Sequence, residues 1–129
     1  MTKTLCLDTN IWVRYLVDTD SPQSSGARKL FQQAEQGKHI IYLDEVIVAE
    51  LIWVLTSYYS YTKKQIDKAL SDLLLNDFFV SPRKNAIICA LSRYFSSNLS
   101  YVDSWFIEST TDLKYQMKTF DKKLVKQAR

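Results

Sequence analysis

Short apolar runs alternate along this chain with longer stretches whose apolar residues return every three or four positions, the signature of strands feeding amphipathic helices. Leu5 to Leu7 predicts a short buried strand that runs into Asp8. Asn10 to Val17 predicts a brief helix with Ile11, Trp12, Tyr15 and Leu16 inward. Ser21-Pro22 opens a second helix, in which Ala27, Leu30, Phe31 and Ala34 share a face before Gly37 stops it. His39 to Leu43 predicts a second strand, and Asp44 caps the long apolar helix that follows. Thr62 caps the next helix, with Ile66, Ala69, Leu70, Leu73 and Leu74 on one face. Phe78 to Val80 predicts a third strand, closed by Ser81-Pro82. A helix from about Asn85 to Phe95 and another from Ser100 follow, then a last strand over Tyr115 to Phe120 and a short helix from Asp121. This alternation predicts an α/β/α sandwich with a mostly parallel central sheet of about four to five strands. No repeat, low-complexity tract or linker divides the chain, so residues 1–129 read as a single domain.

One position breaks the pattern. Glu50 sits in the most apolar run of the chain, Val46-Ile47-Val48-Ala49-Glu50-Leu51-Ile52-Trp53-Val54-Leu55. Its neighbours on a helical face, Val46, Ile47, Trp53 and Val54, carry no positive charge, so no local ion pair is offered. A buried carboxylate must be neutralised, paired at long range or bound to a metal. Asp8, Asp103 and Asp121 also stand against apolar sequence, and the four acids together predict one shared acidic pocket. In a mostly parallel sheet such a pocket forms beyond the carboxyl ends of the strands, where Asp8 and Asp121 are expected.

Composition narrows the chemistry by exclusion. His39 is the single histidine and lies in a strand-like run, which rules against a His-rich zinc site and a Ser-His-Asp triad. Gly26 and Gly37 are the only glycines, so there is no phosphate-cradling loop or dinucleotide fingerprint. Cys6 and Cys89 lie in apolar segments without metal-like spacing and read as reduced core residues of a cytoplasmic protein. No stretch approaches the ~20 apolar residues of a membrane helix, and Asp8 and Asn10 interrupt any signal-like core. What remains is a set of hard oxygen ligands, which suits Mg²⁺ or Mn²⁺ acting on a phosphoryl group, often as two metal ions about 3.5–4 Å apart.

Each acid also has a local explanation. Asp8 and Asp121 fit helix-cap positions, and Asp103 stands three residues after Ser100 in the capping-box arrangement. Glu50 has no such duty in mid-helix, although a surface position or a distant arginine, Arg14 or Arg93, would account for it. The net charge of +3 is small, but Lys114, Lys118, Lys122, Lys123, Lys126 and Arg129 crowd the C-terminal end against Asp121 alone. Such a tail attracts a polyanion or is simply a solvated, lysine-rich helix end.

Four short motifs carry a family resemblance. Leu7-Asp8-Thr9-Asn10-Ile11, Val48-Ala49-Glu50-Leu51, Tyr101-Val102-Asp103-Ser104-Trp105 and Thr119-Phe120-Asp121-Lys122-Lys123-Leu124 resemble, in order, the motifs of the PIN-domain nucleases, over essentially the whole chain. Within that family the chain looks most like the toxins of bacterial toxin–antitoxin pairs, the VapC type. The resemblance implies a Mg²⁺-dependent endoribonuclease, with Mn²⁺ as substitute, that is a homodimer silenced by a small cognate antitoxin. Matched by position, Asp8 and Asp103 are the main metal ligands. Glu50 completes the shell or orients the attacking water, and Asp121 binds a second ion or holds a metal-bound water. Thr9, Asn10 and Thr119 fix these carboxylates. Where many relatives carry a further acid or amide near the fourth aspartate, this chain has Thr119 and, more remotely, Asp112, read as a loop residue. The number of metals therefore stays open.

An acidic pocket repels RNA until metal binds, so basic residues must hold the strand. Arg14, Lys122 and Lys123 are closest in sequence to the acids, and Tyr101 and Trp105 are candidates for stacking on splayed bases. Two other readings are compatible with the sequence. One is a PIN nuclease of RNA processing or decay without an antitoxin. The other is a noncatalytic RNA- or protein-binding module, disfavoured because an idle acid cluster burdens stability.

Overall fold

The computed structural model describes residues 2–128; Arg129 of the basic tail lies outside the described residues. Two compact units are present, one ending at Pro82 and one beginning at Arg83.

The first unit holds β1 (Lys3–Cys6), α1 (Thr9–Leu16), α2 (Pro22–Glu35), β2 (His39–Tyr42), α3 (Glu45–Ser57), α4 (Lys63–Leu74) and β3 (Phe79–Val80). The strands form a parallel sheet in the order β1-β2-β3, with Cys6 opposite Tyr42 and Tyr42 opposite Val80. Parallel neighbours require helical crossovers, which α1 and α2 supply between β1 and β2, and α3 and α4 between β2 and β3. Side-chain caps start these helices: Asp8, Ser21, Asp44 and Thr62 each accept the N–H three residues on. At α4 the cap is reciprocal, because Gln65 Oε1 accepts the Thr62 N–H at 2.8 Å. Gly37 ends α2 with φ +78°, a conformation open to glycine at no steric cost.

The core of this unit is aromatic. Trp12 is fully buried, meets Phe31 edge-on at 5.2 Å and stacks on Phe79 at 5.4 Å. Tyr15 lies flat against Phe31 at 3.9 Å. Helix α3 buries Val48, Leu51, Ile52 and Leu55, and α4 buries Ile66, Leu70, Leu73 and Leu74. Each such side chain stabilises the fold by roughly 1.5–3 kcal/mol.

The second unit holds α5 (Lys84–Ser96), α6 (Tyr101–Leu113) and α7 (Lys122–Gln127). Helices α5 and α6 pack closely, and each buries small residues, Ala86 and Ala90 on one and Ser104 on the other. Leu99, Ile107 and Leu124 form a second cluster, with Met117 against it. Arg93 pins the helices together, donating to Glu108 at 2.8 Å from Nε and to the Gln127 carbonyl at 2.8 Å.

Several expectations are corrected. Three strands are found among the described residues, and Tyr115–Phe120 is not one of them. Helix α6 runs on to Leu113 and is stopped by Lys114 at φ 60°, whose N–H bonds back to Thr110 and Thr111. The segment after it has only Met117 and Thr119 turned inward, so it has no buried face to pair with. Strand β1 is mostly exposed, since β2 pairs with it on one side only. Cys6 and Cys89 are exposed, Cys6 on that edge strand and Cys89 on the outer face of α5, rather than in the core. Asp112 lies within α6, not in a loop. Among the described residues no helix is long and apolar enough to cross a membrane.

The Tyr15 hydroxyl titrates above the usual tyrosine value, chiefly because it is partly buried and secondarily because of the Glu35 charge. Unfolded tyrosines ionise near pH ~10. Above that pH the unfolded chain releases a proton that the folded chain still holds, so a stabilisation fully present below pH ~10 is lost as the pH rises. Urea midpoints are expected to fall above pH ~10, and less steeply in Tyr15→Phe. Identical pH profiles for the two proteins would contradict this assignment.

Candidate active site

In the first unit, Asp8 follows β1 and caps α1, its Oδ1 accepting the Ile11 N–H at 3.1 Å. Its carboxylate is exposed, Thr9 beside it is buried, and Asn10 is exposed. The same arrangement recurs one strand over, where Asp44 Oδ1 accepts the Ile47 N–H at 2.9 Å. Cys6 and Tyr42 are in register, so Asp8 and Asp44, each two residues further on, mark the same edge of the sheet. The sequence marks Asp44 only as a cap; its equal offset from a strand end is the signal that adds it to this edge. The hydroxyl of Tyr42 is pushed to a higher pKa, first by burial and then by the negative charge of Asp44 beside it.

Glu50 is exposed, contrary to the buried setting expected of it. The apolar run around it is uniform and so conceals which face turns inward. The buried stripe is Val48, Leu51, Ile52 and Leu55, and Glu50 belongs to the opposite stripe with Val46 and Trp53. Trp53 is exposed too, not a core residue, and meets Tyr58 edge-on at 5.8 Å. Among the described residues the Glu50 carboxylate has no hydrogen bond or ion pair. Arg14, in the last turn of α1, is half-buried with its Nε enclosed and lacking an acceptor.

In the second unit, Asp103 stands in the first turn of α6, where its N–H donates to Ser100 Oγ at 3.1 Å. The return bond of a capping box is absent, and the half-buried Asp103 carboxylate has no partner among the described residues. Asp121 caps α7, its Oδ1 accepting from Lys123 at 2.9 Å and Leu124 at 3.4 Å. Thr119 Oγ1 accepts the Asp121 N–H at 3.0 Å and holds the turn in which that acid sits. One turn beyond Asp103 is Ile107, one turn beyond Asp121 is Leu124, and these two residues pack together with Leu99. The beginnings of α6 and α7 are thereby drawn to one end of the unit. Lys123 reinforces this by donating to the Asn98 carbonyl at 2.9 Å.

Lys122 is exposed and without an ion pair among the described residues, whereas other residues put forward by the sequence are spoken for. Arg93 is engaged by Glu108, and Asp112 by Arg83 at 3.4 Å. Arg83 also lies over the Trp105 ring at 5.0 Å, and Tyr101 is buried, so neither aromatic ring is a free stacking face. His39 is structural, with Nε2 2.8 Å from the Leu30 carbonyl oxygen.

Within neither unit do three acid, histidine or cysteine side chains gather as a metal cage among the described residues. Carboxylate oxygens are nonetheless the donors that hard divalent ions take. Glu50 and Asp103 have both oxygens uncommitted, and the caps Asp8 and Asp121 use Oδ1 alone.

The family model described as PIN domain matches residues 5–129. No curated protein matches the chain. No solved structure matches it either.

The caps separate structural from chemical duty. Asparagine caps a helix as well as aspartate does, whereas alanine costs about 1 kcal/mol. Asp8→Ala is therefore expected to lower stability by about that amount and Asp8→Asn to leave it unchanged. Glu50→Gln and Asp103→Asn have no bond to lose, and thermal melts should show them as stable as the parent or slightly more so. Destabilisation of Asp103→Asn to the level of Asp8→Ala would assign Asp103 a structural bond instead.

Proposed function

The chain belongs to the PIN-domain family, a nuclease-type fold, and on that premise we propose that it is a Mg²⁺-dependent endoribonuclease acting as the toxin of a toxin–antitoxin pair. The observation that carries the proposal is the match over residues 5–129 to a chain that keeps Asp8, Glu50, Asp103 and Asp121 in order. Two of these, Glu50 and Asp103, have no structural employment that would otherwise explain them.

By the family resemblance, Asp8 and Asp103 would be the principal ligands, Glu50 would complete the shell or orient the attacking water, and Asp121 would bind a second ion or hold a metal-bound water. Mg²⁺, or Mn²⁺ in its place, lowers the pKa of water and neutralises charge developing on a phosphoryl group. Thr119 supports this role through its bond to the Asp121 backbone, and Thr9 and Asn10 flank Asp8 at the start of α1. As the family implies, water would form a new bond to phosphorus while the bond to the 3′ oxygen breaks; that oxygen takes a proton, leaving a 5′-phosphate and a 3′-hydroxyl. Arg14 and Lys122 hold the RNA backbone; Lys123 contributes less, since one of its three donors is spent on Asn98. A homodimer, a cytoplasmic setting and a small antitoxin covering the site complete the reading.

Purified protein is expected to cut total RNA into discrete bands with Mg²⁺ or Mn²⁺ and not with a chelator. Loss of an outer-shell group costs 10–100-fold at metal sites, so Asp103→Asn and Glu50→Gln should lower the rate by more than about 100-fold. Expression in bacteria should arrest growth, and Asp103→Asn should not. An active nuclease without growth arrest would favour RNA processing or decay. Absence of both cleavage and a metal-induced rise in melting temperature would favour a noncatalytic module.

A further inference from the structure

The connector between α6 and α7 exposes what a folded protein ordinarily hides. Phe120 is 105% exposed and Tyr115 69%, while Met117 between them is anchored on Leu99, Ile107 and Leu124. A single exposed aromatic is unremarkable. Here two of them alternate with Lys114, Lys118 and Lys122, all exposed and without an ion pair among the described residues. Residues 114–121 form neither helix nor strand and Lys122 opens α7, so the two aromatic rings are committed to no helix or strand of this unit. Asp121 follows Phe120 directly.

We infer that the connector from Lys114 to Lys122 is a track for an unpaired RNA strand, with Tyr115 and Phe120 as stacking faces and Lys114, Lys118 and Lys122 as phosphate contacts. Any base can stack on an aromatic ring, and lysines beside the rings follow the backbone, which is how strands without fixed sequence are held. A regular duplex keeps its bases stacked on one another and offers the rings nothing. The charge balance favours this occupant over an apolar protein surface, for the segment and the helix after it carry Lys114, Lys118, Lys122, Lys123 and Lys126 against Asp121. Lys123 belongs to the fold through Asn98, which leaves the connector lysines, with Lys126 of α7, as charges without an ion pair among the described residues. The inference rests on the ribonuclease reading for its choice of RNA and extends it to residues outside the four acids.

The test is fluorescence anisotropy of a short labelled unstructured RNA with the Asp103→Asn protein in Mg²⁺, so that binding is read apart from cleavage. Tyr115→Ala with Phe120→Ala is expected to weaken binding by about tenfold or more, at unchanged melting temperature because both side chains are exposed. Phe120→Trp should keep the affinity. Lys118→Ala should flatten the logarithmic salt dependence by about 0.7, one single-strand phosphate contact. Duplex RNA of the same sequence should bind more weakly and ignore the aromatic substitutions. Unchanged affinity of the double alanine variant, or equal loss on duplex and single strand, would overturn the track. So would a double variant that binds RNA normally but no longer self-associates, since the rings would then serve a second copy of the chain. Aromatic-dependent binding by a parent protein that cuts no RNA would keep the track and remove the nuclease.

Discussion

Every helix begins with N–H groups that lack partners, and a parallel sheet forces helices to begin where strands end. That coupling organises the first unit. Asp8 and Asp44 satisfy it at adjacent strand ends, and in doing so they place two carboxylates at one edge of the sheet. The same need is met at α7 by Asp121. Acids recruited for backbone reasons thus gather at strand and helix ends, and at Asp8 and Asp121 one oxygen of the carboxylate is enough for the cap.

The two units solve the problem of position differently. The first relies on a dry aromatic centre, with Trp12, Phe31 and Phe79 meeting at the inner face of the sheet. The second has a smaller apolar cluster and adds charged ties. Arg93 joins α5 to α6 and to the end of α7, Arg83 bonds the Ser109 carbonyl and Asp112, and Lys123 reaches Asn98. Directional bonds of this kind fix helix ends in register where a few leucines alone would permit sliding. Asp103 inherits its position from this framework without itself contributing a side-chain bond.

Much of this was legible in the sequence because it is local. Ser21, Asp44, Thr62 and Ser100 announce their helices by residue type and spacing, and Gly37 announces a stop. Periodicity failed where it was saturated: with nearly every residue of α3 apolar, nothing in the order of residues says that Glu50 and Trp53 turn outward. It misled at Tyr115–Phe120, where apolar alternation over so short a stretch imitates a strand, and the left-handed turn at Lys114 that breaks the pattern carries no glycine to mark it. The pairing of Arg83 with Asp112 and the bond of Lys123 to Asn98 link positions far apart in sequence, beyond the reach of any local rule.

Strand β3 is two residues long, and the bonds from Ile41 to Phe78 and from Leu43 to Val80 bind that side of β2 to it. A ladder so short has little cooperativity. Local opening is therefore expected first on that side, with the amides of Ile41 and Leu43 exchanging through excursions of β3 rather than through global unfolding. Trp12 and Phe31, which rest on Phe79, set the free energy of those excursions. The packing of α1 and α2 thus governs how often the middle of the sheet breathes.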